Sequence, residues 1–145
     1  MNEHGVHPGC DVTLILSEVF GKYPEDTEFV FETGDYHLSP KIFCDYRLSN
    51  TEIIPERRLG MLLKNMKNVC LTGNGSRLLC DGKVIAITID HSEDVTIDGF
   101  TIDCEKPLVA EGVVVGRGKG IVDLAIDRKL YPHKVEGGKL FFDIG

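Results

Sequence analysis

Apolar and polar residues alternate through the middle of the chain, and the alternation occurs twice in nearly the same form. Residues 60–73 and 86–99 align without a gap, so a single constant offset relates the two copies. The aligned apolar pairs are Met61/Ile87, Leu63/Ile89, Val69/Val95 and Leu71/Ile97. A following block, residues 78–81 and 102–105, aligns at an offset shorter by two, so the first copy carries two extra loop residues. Alternation with a period of two predicts strands that each bury one face.

The repeat also predicts how these strands are arranged. Each copy contains three short strands separated by glycine or polar turns, with no helix between them. Such strands cannot bury their apolar faces alone, but coils stacked about 4.8 Å apart bury them in one interior column. This arrangement is a parallel β-helix, a type of solenoid. An antiparallel β-sandwich also has short strands and turns, yet it does not require one offset across three strands.

The N-terminal part of the chain predicts a helix that covers the first coil. Residues 1–10 are expected to be a loose terminus, and the spacing of their histidines and Cys10 does not predict a metal site. Asp11 is a typical helix N-cap, and Gly21 is a typical helix end. The apolar residues between them are Val12, Leu14, Ile15, Leu16, Val19 and Phe20. A strand, a turn and a second strand are predicted next, over residues 27–32, 33–35 and 36–38.

Five cysteines, an odd number without any CxxC pair, argue against a disulfide framework and against a zinc ribbon. Cys80 and Cys104 occupy matching positions in the two copies, so the alternation places both thiols inside, one over the other. Reduced thiols that act as small core residues are the favoured interpretation, and a disulfide between them is the alternative. Cys70 matches Thr96 and is predicted to face outward.

The repeat does not continue after Pro107, and residues 108–145 are predicted to be a second β unit. Residues 1–107 then hold the helix and the first coils. Antiparallel hairpins are predicted in the second unit, from strands at residues 112–116 and 121–127 and from a strand pair within residues 131–142. The glycine-rich residues 116–120 lack the following helix that a phosphate loop needs, which favours a hairpin loop. We expect unpaired strands at residues 139–142 to associate with another copy or with further chain.

Composition and charge limit the classes of partner. The 145 residues are 42% hydrophobic and 27% charged, as in soluble globular proteins. The net charge of −7 argues against nucleic acid and anionic membranes as partners, because both attract basic surfaces. No apolar run is long enough to span a membrane, and the first residues lack the features of a signal peptide. The localisation stays open: cytoplasmic as given, or extracellular or periplasmic after removal of a signal.

Acidic residues are concentrated in the second copy of the repeat, where the alternation places Asp90, Asp98 and Asp103 on the outer surface. Glycoside hydrolysis needs two carboxyl groups about 5–5.5 Å apart for retention, or about 6.5–9.5 Å apart for inversion. The residues predicted beneath the three aspartates are, in the same order, Lys64, Thr72 and Leu79. No acidic pair therefore forms between the two copies, and we assign no catalytic residue. Asp103 and Glu105 are the best candidates for contact with a sugar.

Several segments resemble known carbohydrate-active families. Residues 11–13, the helix after them and residues 29–38 resemble the opening of the pectate-lyase-like superfamily of right-handed β-helix enzymes, although Glu32 stands where proline is usual. Other segments resemble the N-terminal part of the α-1,3-galactosidases of glycoside hydrolase family 110, namely residues 46–51, 68–76, 81–82 and 94–107. The resemblance covers most of the chain from Asp11 onward.

The resemblance implies a right-handed parallel β-helix with an N-terminal capping helix, followed by the start of a small antiparallel β-barrel. It implies that the whole protein is an inverting exo-α-1,3-galactosidase that removes terminal α-linked galactose without metal or cofactor. It also implies that the catalytic acids lie in coils beyond residue 145, so that this chain alone is expected to be inactive. The alternative is a non-catalytic carbohydrate-binding or structural solenoid. A polysaccharide lyase is disfavoured, since those enzymes usually need Ca²⁺ and a basic groove, whereas Lys and Arg are scattered here.

Overall fold

The computed structural model describes residues 1–46 and 56–143. Within them strands dominate, and the one α-helix is α1 (Thr13–Lys22), so the chain is all-β as predicted. A short 3₁₀ helix at Asn2–His4 precedes α1. None of the helices in this described part has the length and apolar character needed to cross a membrane. Contacts divide the chain into two compact units, Met1–Glu105 and Lys106–Gly145.

The strands of the first unit form two sheets. They are β1 (Glu25–Val30), β2 (Asp35–Leu38), β3 (Ile42–Asp45), β4 (Glu56–Lys64), β5 (Lys67–Cys80), β6 (Ile85–Asp90) and β7 (Glu93–Cys104). In one sheet β1 and β2 both pair with β5, and β7 pairs with the opposite edge of β5, all in parallel. In the other sheet β4 lies between the antiparallel β3 and the parallel β6. Residues 47–51, which carry part of the family resemblance, lie outside the described residues.

The register between the two copies of the repeat is the predicted one. The apolar pairs that are Cα partners in parallel strands are Met61/Ile87, Leu63/Ile89, Val69/Val95 and Leu71/Ile97. Their offset shortens by two between Thr72 and Ser76, where β5 carries its two extra residues. The partners predicted for the outward aspartates are also found, as Lys64/Asp90, Thr72/Asp98 and Leu79/Asp103. The two copies therefore lie side by side and run in the same direction.

Polar residues with a left-handed backbone mark the corners between strands. Asp26, Asn68 and Asp94 have φ values of 48°, 51° and 53°. Asn and Asp tolerate positive φ better than other non-glycine residues. The Asn68 side-chain amide donates a hydrogen bond to Asp26 Oδ1 at 2.7 Å, which joins the corner of one layer to the corner of the next. Asn65 and His91, which are matching positions of the repeat, share the same conformation with φ of 54° and 49°.

The apolar face of each strand points into one core. Strand residues with at most 2% exposure include Phe29, Tyr36, Leu38, Leu63, Val69, Leu71 and Leu78. Helix α1 packs against β4 and contributes Leu16, Val19 and Phe20 to the same core. The rings of Phe20 and Phe29 meet edge to face with centroids 5.0 Å apart. The helix predicted to cover the coils therefore does bury its apolar face against the strands.

The layer formed by β6 and β7 is much less buried than the layer beneath it. Leu63 and Leu78 of the lower layer are 0% exposed, whereas their register partners Ile89 and Ile102 are 51% and 53% exposed. The two layers present apolar side chains at the same positions, so the difference lies in what covers them. The described residues cover the inner side chains of β6 and β7 from below and leave them open above.

The prediction of a loose N-terminal segment over residues 1–10 is wrong. Val6 is fully buried and belongs to the core beside α1. The Gly9 N–H donates to the carbonyl of Asp35 at 2.6 Å, and the His37 N–H donates to the carbonyl of Cys10 at 3.0 Å. The segment is thus held by apolar packing and by backbone hydrogen bonds to the strands, and such single contacts produce no periodic pattern in the sequence.

The predicted ends of the helix also need correction. Helix α1 begins at Thr13, and it continues through Gly21 to Lys22. The Asp11 carboxylate accepts a hydrogen bond from the Thr13 N–H at 3.1 Å, although Asp11 lies one residue before the N-cap position. Strand β1 begins two residues earlier, and ends two residues earlier, than the predicted strand over residues 27–32.

The second unit contains two antiparallel hairpins, as its turn residues predict. They pair β8 (Val113–Gly118) with β9 (Ile121–Ala125), and β10 (His133–Glu136) with β11 (Lys139–Phe142). The glycine-rich residues 116–120 are therefore part of a hairpin and not a phosphate loop. Gly137 and Gly138 have φ of 57° and 73°, as a two-residue type I′ turn requires. The expectation that residues 139–142 are unpaired is wrong for one edge of that strand, because β10 occupies it.

Candidate functional site

Five polar side chains from three parallel strands lie on the outer surface of the sheet formed by β2, β5 and β7. This outer patch consists of Asp35, His37, Arg77, Asp103 and Glu105. Alternation explains their position, because the neighbouring residues Tyr36, Leu78 and Cys80 point into the core. Two strand spacings separate β2 from β7, which is about 9.6 Å. The patch therefore combines residues that are far apart in the sequence.

Arg77 joins the first two strands at one end of the patch. Its Nε and one terminal nitrogen donate to the two carboxylate oxygens of Asp35 at 2.8 and 2.5 Å, a bidentate geometry. The Arg77 guanidinium lowers the pKa of the Asp35 carboxyl. The Asp35 carboxylate raises the pKa of Arg77, and the negative charge of Asp103 on the third strand adds to that effect. Arg77 is therefore bound to Asp35 on β2, and the charge of Asp103 on β7 acts on the same guanidinium.

His37 and Glu105 join β2 to the end of β7 across the intervening strand. The Nδ1 atom of His37 contacts Oε1 of Glu105, and both side chains are 35% exposed. The Glu105 N–H donates to the carbonyl of Cys80 at 3.0 Å, so the parallel pairing extends one residue beyond β7 and fixes the backbone from which Glu105 projects. Leu79 of β5 is the register partner of His37 on one side and of Asp103 on the other, and its side chain is half-buried.

The patch has the hydrogen-bonding groups that a sugar requires. Asp103 and Glu105 are acceptors, while Arg77 and His37 supply donors. A sugar hydroxyl both donates and accepts, so donors and acceptors placed side by side suit neighbouring hydroxyl groups. Leu79 offers an apolar surface between them. The arrangement can bind and orient a polyhydroxylated ligand, and it does not contain the two free carboxyl groups that hydrolysis needs.

The structure places both predicted contact residues in this patch, and it adds residues that the sequence did not indicate. The charge of Asp103 acts on Arg77, and Glu105 contacts His37. The sequence did not indicate His37 and Arg77 as site residues. Strands β1 and β2 are related to β5 by a longer sequence offset than the one that relates β5 to β7. The apolar pairs that would have revealed this longer offset are Phe29/Leu71, Tyr36/Leu78 and Leu38/Cys80.

The other outward aspartates are not positioned as catalytic pairs. Asp90 accepts a hydrogen bond from the Tyr46 hydroxyl at 2.6 Å and lies 3.4 Å from Lys64 Nζ and 2.5 Å from His91 Nδ1. The Tyr46 hydrogen bond is the main reason that the pKa of Asp90 is lowered, and the same bond raises the pKa of Tyr46 to about 12. Asp98 has Thr72 as its partner. In the part of the chain that the structure describes, no three His, Cys, Asp or Glu residues are grouped closely enough to hold a metal ion.

The Asp35–Arg77 pair leads to a pH-dependent prediction. Because the folded-state pKa of Asp35 is lowered, its stabilising contribution is present above the pKa of an unfolded aspartate and is lost as the pH falls through the lowered value. We expect an NMR titration of the Asp35 carboxyl to have its midpoint below that of an ordinary aspartate. Arg77→Gln should move the midpoint upward, because it removes the guanidinium. An unchanged midpoint in Arg77→Gln would mean that the pair is not formed in solution.

Comparison with known proteins finds several relatives that are named α-1,3-galactosidase. No family model matches the chain. It is 31% identical over 123 residues to "Alpha-1,3-galactosidase B" of Bacteroides thetaiotaomicron, covering 83% of this chain and 20% of the relative. It is 32% identical over 153 aligned positions to "Alpha-1,3-galactosidase A" of Shewanella woodyi, covering 98% of this chain and 24% of the relative. A similar protein from Akkermansia muciniphila, "Alpha-1,3-galactosidase B", is 29% identical over 75% of this chain and 14% of its own length. The chain thus spans a quarter or less of these relatives, and over most of its length it is homologous to proteins named α-1,3-galactosidase.

Proposed function

We propose that the chain forms the first coils of a right-handed parallel β-helix in a galactosidase-related, carbohydrate-active protein. The parallel register of β4 with β6 and of β5 with β7 supports this fold, because each layer repeats the apolar positions of the one beneath. The packing of α1 against β4 supports its role as the cap. A further layer with the same apolar positions would cover Ile89 and Ile102, as β6 and β7 cover Leu63 and Leu78.

The activity proposed for the whole protein is inverting, exo-acting hydrolysis of terminal α-1,3-linked galactose. The observation that carries this proposal is the identity of 31% over 83% of the chain, and of 32% over 98%, to proteins named α-1,3-galactosidase. The 145 residues themselves are proposed to lack the catalytic acids. In this proposal the outer patch, which includes Asp103 and Glu105 on the β7 side, contacts the galactose-terminated glycan.

A non-catalytic carbohydrate-binding or structural role is the second candidate. One observation favours it: each outward aspartate in the described repeat has a non-acidic register partner, so the stacked strands do not present the carboxyl pair of a glycosidase. Self-association through the C-terminal end, around residues 139–142, is proposed with either candidate. The exposed apolar side chains of that hairpin which would be covered are Val135, Leu140 and Phe141.

Titration with α-1,3-digalactoside tests whether the patch binds sugar. We expect millimolar disaccharide to shift the NMR signals of the outer patch, and Glu105→Gln to weaken the affinity about tenfold, as loss of a charged hydrogen bond does. Glu136→Gln is the matched control, because it makes the same chemical change on an exposed hairpin strand of the second unit. Galactose release should be absent in all three proteins. Signal shifts elsewhere, or equal weakening by both variants, would contradict the assignment of the patch.

A further inference from the structure

Two cysteines in adjacent strands stand at the same position of the two copies. Cys80 is the last residue of β5 and Cys104 the last residue of β7, and they are Cα partners in the parallel register. Both are free thiols on the inner face, where Cys80 is 2% exposed and Cys104 is half-buried against the core. The alternation predicted this stacking, and the pairing confirms it.

The register brings the pair close to the geometry of a disulfide. Neighbouring strands lie about 4.7–4.9 Å apart, within the Cα separation of about 4.4–6.8 Å that disulfides allow. The Cβ atoms of a disulfide lie about 3.5–4.5 Å apart, so the two strands must approach by less than about 1 Å. In this chain the adjustment disturbs one pairing, because β5 is the strand with which β7 pairs among the described residues.

We propose that Cys80 and Cys104 are a modification site at which a small-molecule disulfide, such as oxidised glutathione, cross-links β7 to β5. The half-exposed Cys104 reacts first: its thiolate bonds to one sulfur of the small disulfide and releases one small thiol. Cys80 then loses its proton and attacks the Cys104 sulfur of the mixed disulfide, which releases the second small thiol. Two protein thiols are oxidised, and one small disulfide is reduced to two thiols.

The order of these steps follows from burial. Burial raises the pKa of the Cys80 thiol to about 11, and the neighbouring Cys104 thiol and Glu105 add to the effect. Cys80 is therefore protonated at neutral pH and acts second, when the mixed disulfide stands next to it. In a reducing compartment both thiols stay in the core as small apolar groups. In an oxidising compartment the disulfide joins β7 covalently to β5. The oxidation state of Cys80 and Cys104 is therefore expected to depend on whether the compartment is reducing or oxidising.

Mass spectrometry after incubation of the whole chain with oxidised glutathione tests the proposal. We expect the count of free thiols to fall from five to three and the mass to decrease by about 2 Da. Trypsin cleaves after Arg77, Lys83 and Arg117 but not at Lys106, which precedes proline, so peptides 78–83 and 84–117 should be joined. The cross-link should raise Tm on the order of 5 °C. Dithiothreitol should reverse both changes.

Two variants make the result decisive. Cys104→Ser should abolish the joined peptides and the rise in Tm, while a chain with Cys10, Cys44 and Cys70 all replaced by serine should retain both. A stable glutathione adduct on Cys104 that never resolves, or joined peptides that contain any other cysteine, would overturn the proposal. An unchanged thiol count in oxidised glutathione would overturn it equally.

Discussion

Replacing Gly73 with alanine is expected to lower the free energy of unfolding by about 2–3 kcal/mol, as overpacking of a filled core position does. A Cβ atom at Gly73 would lie 2.6 Å from the carbonyl oxygen of Gly99 and 2.6 Å from Cγ of Phe100. The first is backbone of the next layer, and the second belongs to a ring that packs edge to face on Phe31 with centroids 5.0 Å apart. The carbonyl oxygen can move only with the backbone of β7, and the ring can move only by changing its contact with Phe31. Chemical denaturation followed by circular dichroism measures the change.

Gly21 provides the matched control for this substitution. It lies in α1, and a Cβ atom there has no neighbour within 4 Å. Gly21→Ala should therefore stabilise the protein by about 0.5–1 kcal/mol, because alanine favours a helix over glycine by that amount. The same chemical change is thus expected to have opposite signs at the two positions. A variant Gly73→Ala as stable as the parent would show that the layers are not stacked as closely as described.

The stacking of the two copies could be predicted because independent signals agree in the same residues. Val69 and Val95 match in the alternation, and Gly73 and Gly99 match in the turn. An offset that holds over the whole of residues 60–73 fixes both the strand pairing and its direction, since only parallel neighbours preserve a constant offset. The change in offset after Gly73 also predicted two extra residues in the first copy, and the structure has the shift in register between Thr72 and Ser76.

Other parts of the fold could not be predicted from the sequence, because they depend on individual tertiary contacts that leave no repeated pattern. Val6 is buried by tertiary packing in a segment too short to show a period. Gly21 continues the helix because α1 is held by its apolar face against the strands, and packing outweighs the low helix propensity of glycine. The alternation also predicted that Asp103 and Glu105 face outward. It could not predict their partners, because Glu105 contacts His37 of β2 across the intervening strand β5.

Alanine substitutions at Leu78 and Ile102 compare how strongly burial of each side chain stabilises the protein. The two residues are register partners, yet Leu78 is 0% and Ile102 is 53% exposed. Leu78→Ala is expected to cost about 3 kcal/mol of unfolding free energy, within the range of Leu→Ala changes in filled cores. Ile102→Ala should cost about 1 kcal/mol, because half of its surface is already in water. Chemical denaturation of both variants at low protein concentration gives the comparison.

The Ile102→Ala result also tests whether β7 is exposed in solution. Truncating a buried side chain lowers the free energy of unfolding more than truncating an exposed one. If Ile102→Ala costs as much as Leu78→Ala, something covers β7 in solution that the single chain does not supply. Sedimentation then decides: a dimer that dissociates in Ile102→Ala would place self-association on β6 and β7, in conflict with the proposal of residues 139–142. A small cost in a monomer would leave β7 as the surface on which the next coil of the proposed β-helix is built, since its apolar positions repeat those of β5.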